Sequence, residues 1–148
     1  MTVCFCGQRD MYANPDALRV WLENSLKALI ERGADRFYLG GYGAFDSMAA
    51  VALRDMRAAH PGIESILVLA YLGRPLDELD RQLYDRTTYP PLEGVPKRYA
   101  ILRRNEWIVD HSDVVVSGVL HEWGGACQML AYARRKSLEI ISFSEVAL

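Results

Sequence analysis

Residues 36–46 read Arg36-Phe37-Tyr38-Leu39-Gly40-Gly41-Tyr42-Gly43-Ala44-Phe45-Asp46. Phe37, Tyr38 and Leu39 form the end of a short buried strand. Gly40, Gly41 and Gly43 supply a turn with almost no side-chain bulk, and a helical pattern begins at about Ala44. A strand that breaks on glycines and opens a helix leaves backbone N–H groups converging on one spot, which suits an anion such as a phosphate. The spacing is GGxG. It is neither the dinucleotide GxGxxG nor a P-loop with its Lys-Ser/Thr. A plain tight strand-to-helix turn explains the same residues.

Outward from this stretch the chain alternates strands and helices. Thr2 to Cys6 is an apolar run that closes at Gly7, the pattern of a central strand covered on both faces. Arg9 stands just past its carboxyl end, the edge where open α/β sheets bind ligands. It holds an anion there, or pairs with Asp10 or Asp46. Asn14-Pro15 is a helix start, with Asn14 as cap and Pro15 at the first helical position. Leu18, Trp21, Leu22, Leu26, Leu29 and Ile30 then recur at helical spacing up to Gly33.

The helix from Ala44 to about Ala59 has a slim face of Ala49, Ala50, Ala52 and Leu53. Asp46 falls in its first turn, where a carboxylate stabilises the positive helix end. There it accepts bonds from ligand hydroxyls or braces the turn. After His60-Pro61-Gly62 a third strand spans Ser65 to Ala70. Pro75 starts a short helix with Leu76, Leu79 and Leu83. The segment through Pro90, Pro91 and Gly94, with Tyr84, Tyr89 and Tyr99, reads as a long connection: a site wall, a plain surface loop or a dimer contact. Lys97 to Asp110 is a helix loaded with Lys97, Arg98, Arg103 and Arg104, followed by Asn105. It reads as an anion-facing element or a solvated basic face. Val114 to Ser117 forms the fourth strand, Gly124-Gly125 opens a helix from Ala126 to Arg135, and Leu138 to Phe143 forms the fifth strand. The expected architecture is a Rossmann-like α/β/α sandwich. Its doubly wound parallel sheet has five strands in the order 3-2-1-4-5.

Composition narrows the function. At 148 residues and 51% hydrophobic, the chain can bury one sizeable core. A formal net charge of -2 argues against a general DNA or RNA binder, so nucleic acid is not expected as a partner. Cys4, Cys6 and Cys127 lack metal-ligand spacing and suit reduced thiols in a cytoplasmic protein. His60, His111 and His121 have no partner at zinc spacing, so no metal and no cofactor is expected. No run reaches the length of a membrane span, and the start does not read as a signal peptide.

Four segments together resemble the SLOG superfamily, the Rossmann-like group of the lonely-guy (LOG) hydrolases and the DprA/Smf proteins. They are CFCGQRD at 4–10, FYLGGYGAFD at 37–46, RRNEWIVDHSDVVV at 103–116 and GGACQMLAYARRK at 124–136. The likeness is strongest to the small bacterial and phage-borne YpsA/YspA-like proteins. It covers nearly the full chain and implies that residues 1–148 form a single SLOG-like Rossmann domain. It further implies a nucleotide-like ligand above the sheet edge, held by Gly7, Arg9, Gly40, Gly41, Gly43, Asp46, Arg104, Asn105, Gly124 and Gly125. Related proteins commonly pair, so a homo-oligomer is expected. LOG hydrolases carry PGGxGTxxE with a catalytic glutamate. Here HEWGGACQM stands in its place, and Gln128 sits near the glutamate's position. A glutamine is no general acid or base, so no catalytic residue is assigned. Asp46, Asp110 and Glu122 remain as carboxylates for a hydrolase. The preferred reading is a binder of a nucleotide or nucleotide-derived small molecule, a sensor or sequestering protein; capture of a nucleotide second messenger in a phage or bacterial defence-related role belongs to the same class. A LOG-type nucleoside-phosphate hydrolase and a non-binding scaffold are the alternatives.

Overall fold

A computed structural model describes residues 1–10, 12–120 and 123–144 of the chain. Strand β1 spans Thr2–Gly7 and helix α1 Pro15–Glu31, then come β2 Arg36–Leu39, α2 Ala44–Met56 and β3 Glu64–Val68. Helix α3 spans Glu78–Leu83 and strand β4 Arg86–Thr88. A 3-10 turn at Lys97–Tyr99 leads into α4 Ala100–Asp110. The chain continues with β5 Val114–Gly118, α5 Gly125–Arg135 and β6 Glu139–Ser142. All pairings are parallel, in the order β4-β3-β2-β1-β5-β6.

Alternate residues of β1 face opposite sides, as strand geometry requires. Val3 and Phe5 join Leu18, Leu22, Leu26 and Leu29 of α1 and Phe45 and Leu53 of α2 in one core. Cys4 and Cys6 join Ile108 and Val109 of α4 and Met129 and Leu130 of α5 in the other. Fully burying one such Leu or Phe is worth roughly 1.5–3 kcal/mol. Two apolar layers against one sheet therefore fix β1 at the centre. The Asn14 side chain accepts from the Ala17 N–H at 3.1 Å, so α1 starts where its Asn-Pro signal places it. Trp21 packs on Phe143, their ring centroids 5.3 Å apart.

The sheet has six strands among the described residues where five were expected. The order of the expected five is kept, and the addition is β4, outside β3. The segment read as a loop contains it. Three residues, two of them exposed, carry no apolar pattern. The strand is held by polar ties instead. The Ser65 N–H donates to the Asp85 carboxylate at 2.7 Å, and the Arg57 guanidinium donates to Ser65 Oγ at 2.6 Å and to the Leu83 carbonyl. Helix α3 starts later than Pro75 because Asp77 and Asp80 form a reciprocal capping box.

Among the described residues, no helix is long and apolar enough to cross a membrane.

Candidate functional site

Chain direction across the sheet reverses at β1. β2, β3 and β4 are added on one side, β5 and β6 on the other. A crevice opens at the carboxyl ends of β1 and β5, where such a switch places ligands. The Tyr12 hydroxyl ties these ends together, accepting from the Gln8 N–H at 3.2 Å and donating to the Gly118 carbonyl at 2.6 Å.

The crevice is a cavity of about 400 Å³. The end of β1 brings Gly7 and Arg9 to its wall, the β2–α2 junction brings Gly40 and Asp46, α4 brings Arg104 and Asn105, and the start of α5 brings Gly124 and Gly125. Gly41 and Gly43 do not line it. A Cβ on Gly43 would stand 2.6 Å from Arg9 Cα, so this glycine lets the first loop and the second helix meet.

The two glycine junctions are geometrically alike. Gly43 precedes α2 with φ 90° and ψ 176°, and Gly124 precedes α5 with φ 93° and ψ 177°. Only glycine adopts this backbone without strain. They differ in what fills them. Asp46, the third residue of α2, turns back and accepts the N–H groups of Gly40 at 3.2 Å and Gly41 at 3.0 Å. The sequence pattern left those amides open to an anion, but the chain's own carboxylate occupies them, and Asp46 thus braces the turn. At α5 the third residue is Cys127, and among the described residues no side chain caps the helix. Helix α2 likewise has no side-chain cap, since Asp46 takes amides of the turn before it; what sets α5 apart is that its first residues, Gly125 and Ala126, line the cavity together with Gly124.

Burial holds Asp46 partly against ionisation and raises its pKa to about 6, with Arg104 and the turn amides pulling the other way. Arg104 is buried too, with 3% of its surface exposed. It is not part of a solvated basic face. Its Nη1 donates to the carbonyls of Gly40 at 3.1 Å and Val68 at 3.0 Å, and its Nε donates to Asn105 Oδ1 at 2.9 Å. It thus locks the ends of β2 and β3 and supplies a fixed charge behind the cavity. Arg9 is exposed at the rim, 5.7 Å from the Tyr42 ring centroid.

Three wall residues escaped the sequence reading. Gln8 is buried, and its Oε1 has no hydrogen-bond partner among the described residues. An unpaired buried polar atom costs roughly 1–3 kcal/mol. Trp123, 70% exposed, stands beside Gly124. Tyr42 lies among three guanidinium groups, with Arg74 at 5.1 Å and Arg104 at 5.5 Å joining Arg9. Its place between two glycines, where a turn presents a ring, was the available signal. Of the two hydrolase carboxylates among the described residues, Asp46 lines the cavity and Asp110 does not. Asp110 pairs with the Tyr132 hydroxyl at 2.8 Å and lines a different groove. Glu122 lies outside the described residues. Among the described residues, no cluster of His, Cys, Asp or Glu could hold a metal ion.

No family model and no curated protein sequence matches the chain. Solved structures do. DNA processing protein A from Streptococcus pneumoniae superposes with a TM-score of 0.71 at 16% identity, over 99% of this chain and 51% of that one. The Helicobacter pylori protein of the same name, described for its unique single-stranded DNA binding mode, superposes at 0.66 and 16%. That match covers 99% of this chain and 66% of the other. The structural-genomics target TM1055 superposes at 0.63 and 15%, over 94% and 71%. This chain shares their fold. It spans about half to two thirds of the two DNA processing proteins.

The comparison overturns one expectation. Nucleic acid was set aside on net charge, yet a chain of this fold is described as binding single-stranded DNA. A total of -2 averages over the surface and does not report the three guanidinium groups gathered around Tyr42.

Proposed function

We propose that the chain is a SLOG-type binding domain whose cavity holds a phosphorylated nucleotide. Its phosphate sits on the α5 N-terminus at Gly124-Gly125, and Arg9 adds charge. The observation that carries this is the contrast between the two junctions. Asp46 takes the Gly40 and Gly41 amides of the turn before α2, whereas the start of α5 lines the cavity with no side-chain cap among the described residues. Arg104 and the α5 helix dipole favour negative charge there. The orphaned Gln8 Oε1 accepts a donor from the ribose or base. Trp123 offers an apolar plate at the mouth. A binding role needs no general acid or base. Asp46, the buried carboxylate on the wall, is engaged with the turn it supports.

Calorimetric titration with the common nucleoside monophosphates, beside the same nucleosides without phosphate, tests this reading. Phosphate-dependent binding is expected, and Arg9→Ala should weaken it about tenfold or more, on the scale of a hydrogen bond to a charged group. Nucleosides binding as well as their monophosphates, or no binding at millimolar ligand, would refute it.

The second reading is a single-stranded nucleic acid whose phosphates follow the same edge. The likeness to the Helicobacter pylori protein favours it. Its mark is affinity for oligothymidylate that falls steeply with salt.

A further inference from the structure

A second cavity, of about 600 Å³, adjoins the first, and Tyr42 stands in the wall of both. Tyr71, Leu72 and Arg74 of the segment after β3 form one side, and Tyr89, Glu93 and Lys97 of the long connection form the other. Each cavity is within the size range of small-molecule sites, and apolar walls with a few fixed polar groups are their usual composition. Leu72 is 67% exposed beside the two tyrosines.

Arg74 lines the second cavity at the ring the two share. Its guanidinium lies over the Tyr42 ring, donates weakly to the Gly41 carbonyl at 3.3 Å and stands 3.9 Å from Asp80. Its Nη1 is buried and has no hydrogen-bond partner among the described residues. A buried cationic donor without an acceptor is costly, and a phosphate oxygen is the acceptor its planar fork fits best. Arg9 lies near the same ring, 5.7 Å from its centroid.

We infer that the second cavity is a second nucleoside subsite, and that the ligand is two nucleosides joined through phosphate. The linkage crosses Tyr42 between Arg9 and Arg74. The second base lies against Tyr71 and Tyr89, and Glu93 is placed to accept from its amino or hydroxyl groups. This rests on the reading of the first cavity given above. The same chemistry comes from a free dinucleotide or from the end of a strand.

The test is calorimetry on the whole chain with a mononucleotide, a 5′-phosphorylated dinucleotide of the same base and a ten-residue oligonucleotide. The dinucleotide should bind at least tenfold tighter than the mononucleotide. Arg74→Ala should reduce that ratio to below threefold. Lys97→Glu, at an exposed position where folding is not at stake, should reduce it as well. An oligonucleotide tighter again by tenfold assigns the ligand to a strand, and equal affinity assigns it to a free dinucleotide. A dinucleotide no tighter than a mononucleotide that does bind overturns the second subsite and leaves the first reading standing. A gain that survives both substitutions places the second nucleoside elsewhere and also overturns it. Binding of none of the three overturns both readings.

Discussion

Replacing Asp46 with asparagine should change how stability depends on pH, with a sign fixed by burial. In the folded chain the Asp46 carboxyl titrates at about 6, against an ordinary 3.8. Below about pH 3 it is protonated in both folded and unfolded chains. Between about pH 4 and 6 the unfolded chain releases this proton while the folded chain keeps it, so stability falls as pH rises. A gap of about two pKa units corresponds to roughly 3 kcal/mol, spread over that window and level above it. The substituted amide would keep an oxygen for the Gly40 and Gly41 N–H groups but would not titrate. The assay is urea unfolding of the wild type and Asp46→Asn at half-unit steps from pH 4 to 7.5. The difference between the two proteins should shift by about 2 kcal/mol against the wild type on going from pH 4 to 6.5, since all other groups cancel. A flat difference would show that the carboxylate is solvated. A difference that favours the wild type as pH rises would show that Arg104 and the amides outweigh burial. Either result refutes the reasoning.

Arg104→Met should destabilise by roughly 3–5 kcal/mol, since it strands two buried carbonyls and leaves Asp46 without its nearby cation, whereas exposed Arg103→Met should fall within about 0.5 kcal/mol; urea midpoints distinguish them. Gly7→Ala would place a Cβ 2.2 Å from the Phe45 ring and should cost about 1–3 kcal/mol by overpacking, while Gly94→Ala, with open space around it, should leave the melting temperature nearly unchanged. Burial pushes the Cys4 thiol up to about 12 and the Cys6 thiol higher still, so a thiol reagent at pH 8 should titrate Cys127 in the native chain and the other two only after unfolding.

What the sequence disclosed follows physical lines. β1 and β5 were legible because a strand covered on both faces must be apolar throughout, and Asn14-Pro15 was legible because capping is local. β4 was not, because its hold comes from Arg57, Ser65 and Asp85, brought together by the fold. The glycine junctions were legible from composition, but that the first turn's amides are taken by the chain itself depends on a side chain folding back over six positions, from Asp46 to Gly40. The role of Arg104 was concealed by its basic neighbours. Its spacing told more: Ala100, Arg104 and Ile108 recur every four residues, the buried stripe of α4. A charge on such a stripe has an interior partner, here the ends of two strands.

The central place of β1 also bears on the order in which the molecule comes together. β1 meets β2 through a single short crossover, but it meets β5 only after the chain has returned from β4. Thr2 and Asp113, which bond to each other there, stand 111 positions apart. Closing that longer loop costs about 1 kcal/mol more in chain entropy than bringing Thr2 to Arg36, and such pairings form late. The crevice lies on this last seam, with one wall from each side of it. A molecule that binds there recognises only the completed sheet, so its binding energy is added to the unfolding of the whole chain. At a hundredfold excess over its dissociation constant it would raise stability by about 2.7 kcal/mol. The melting transition should then move as one, which makes a thermal-shift screen of nucleotides a direct reading of the seam.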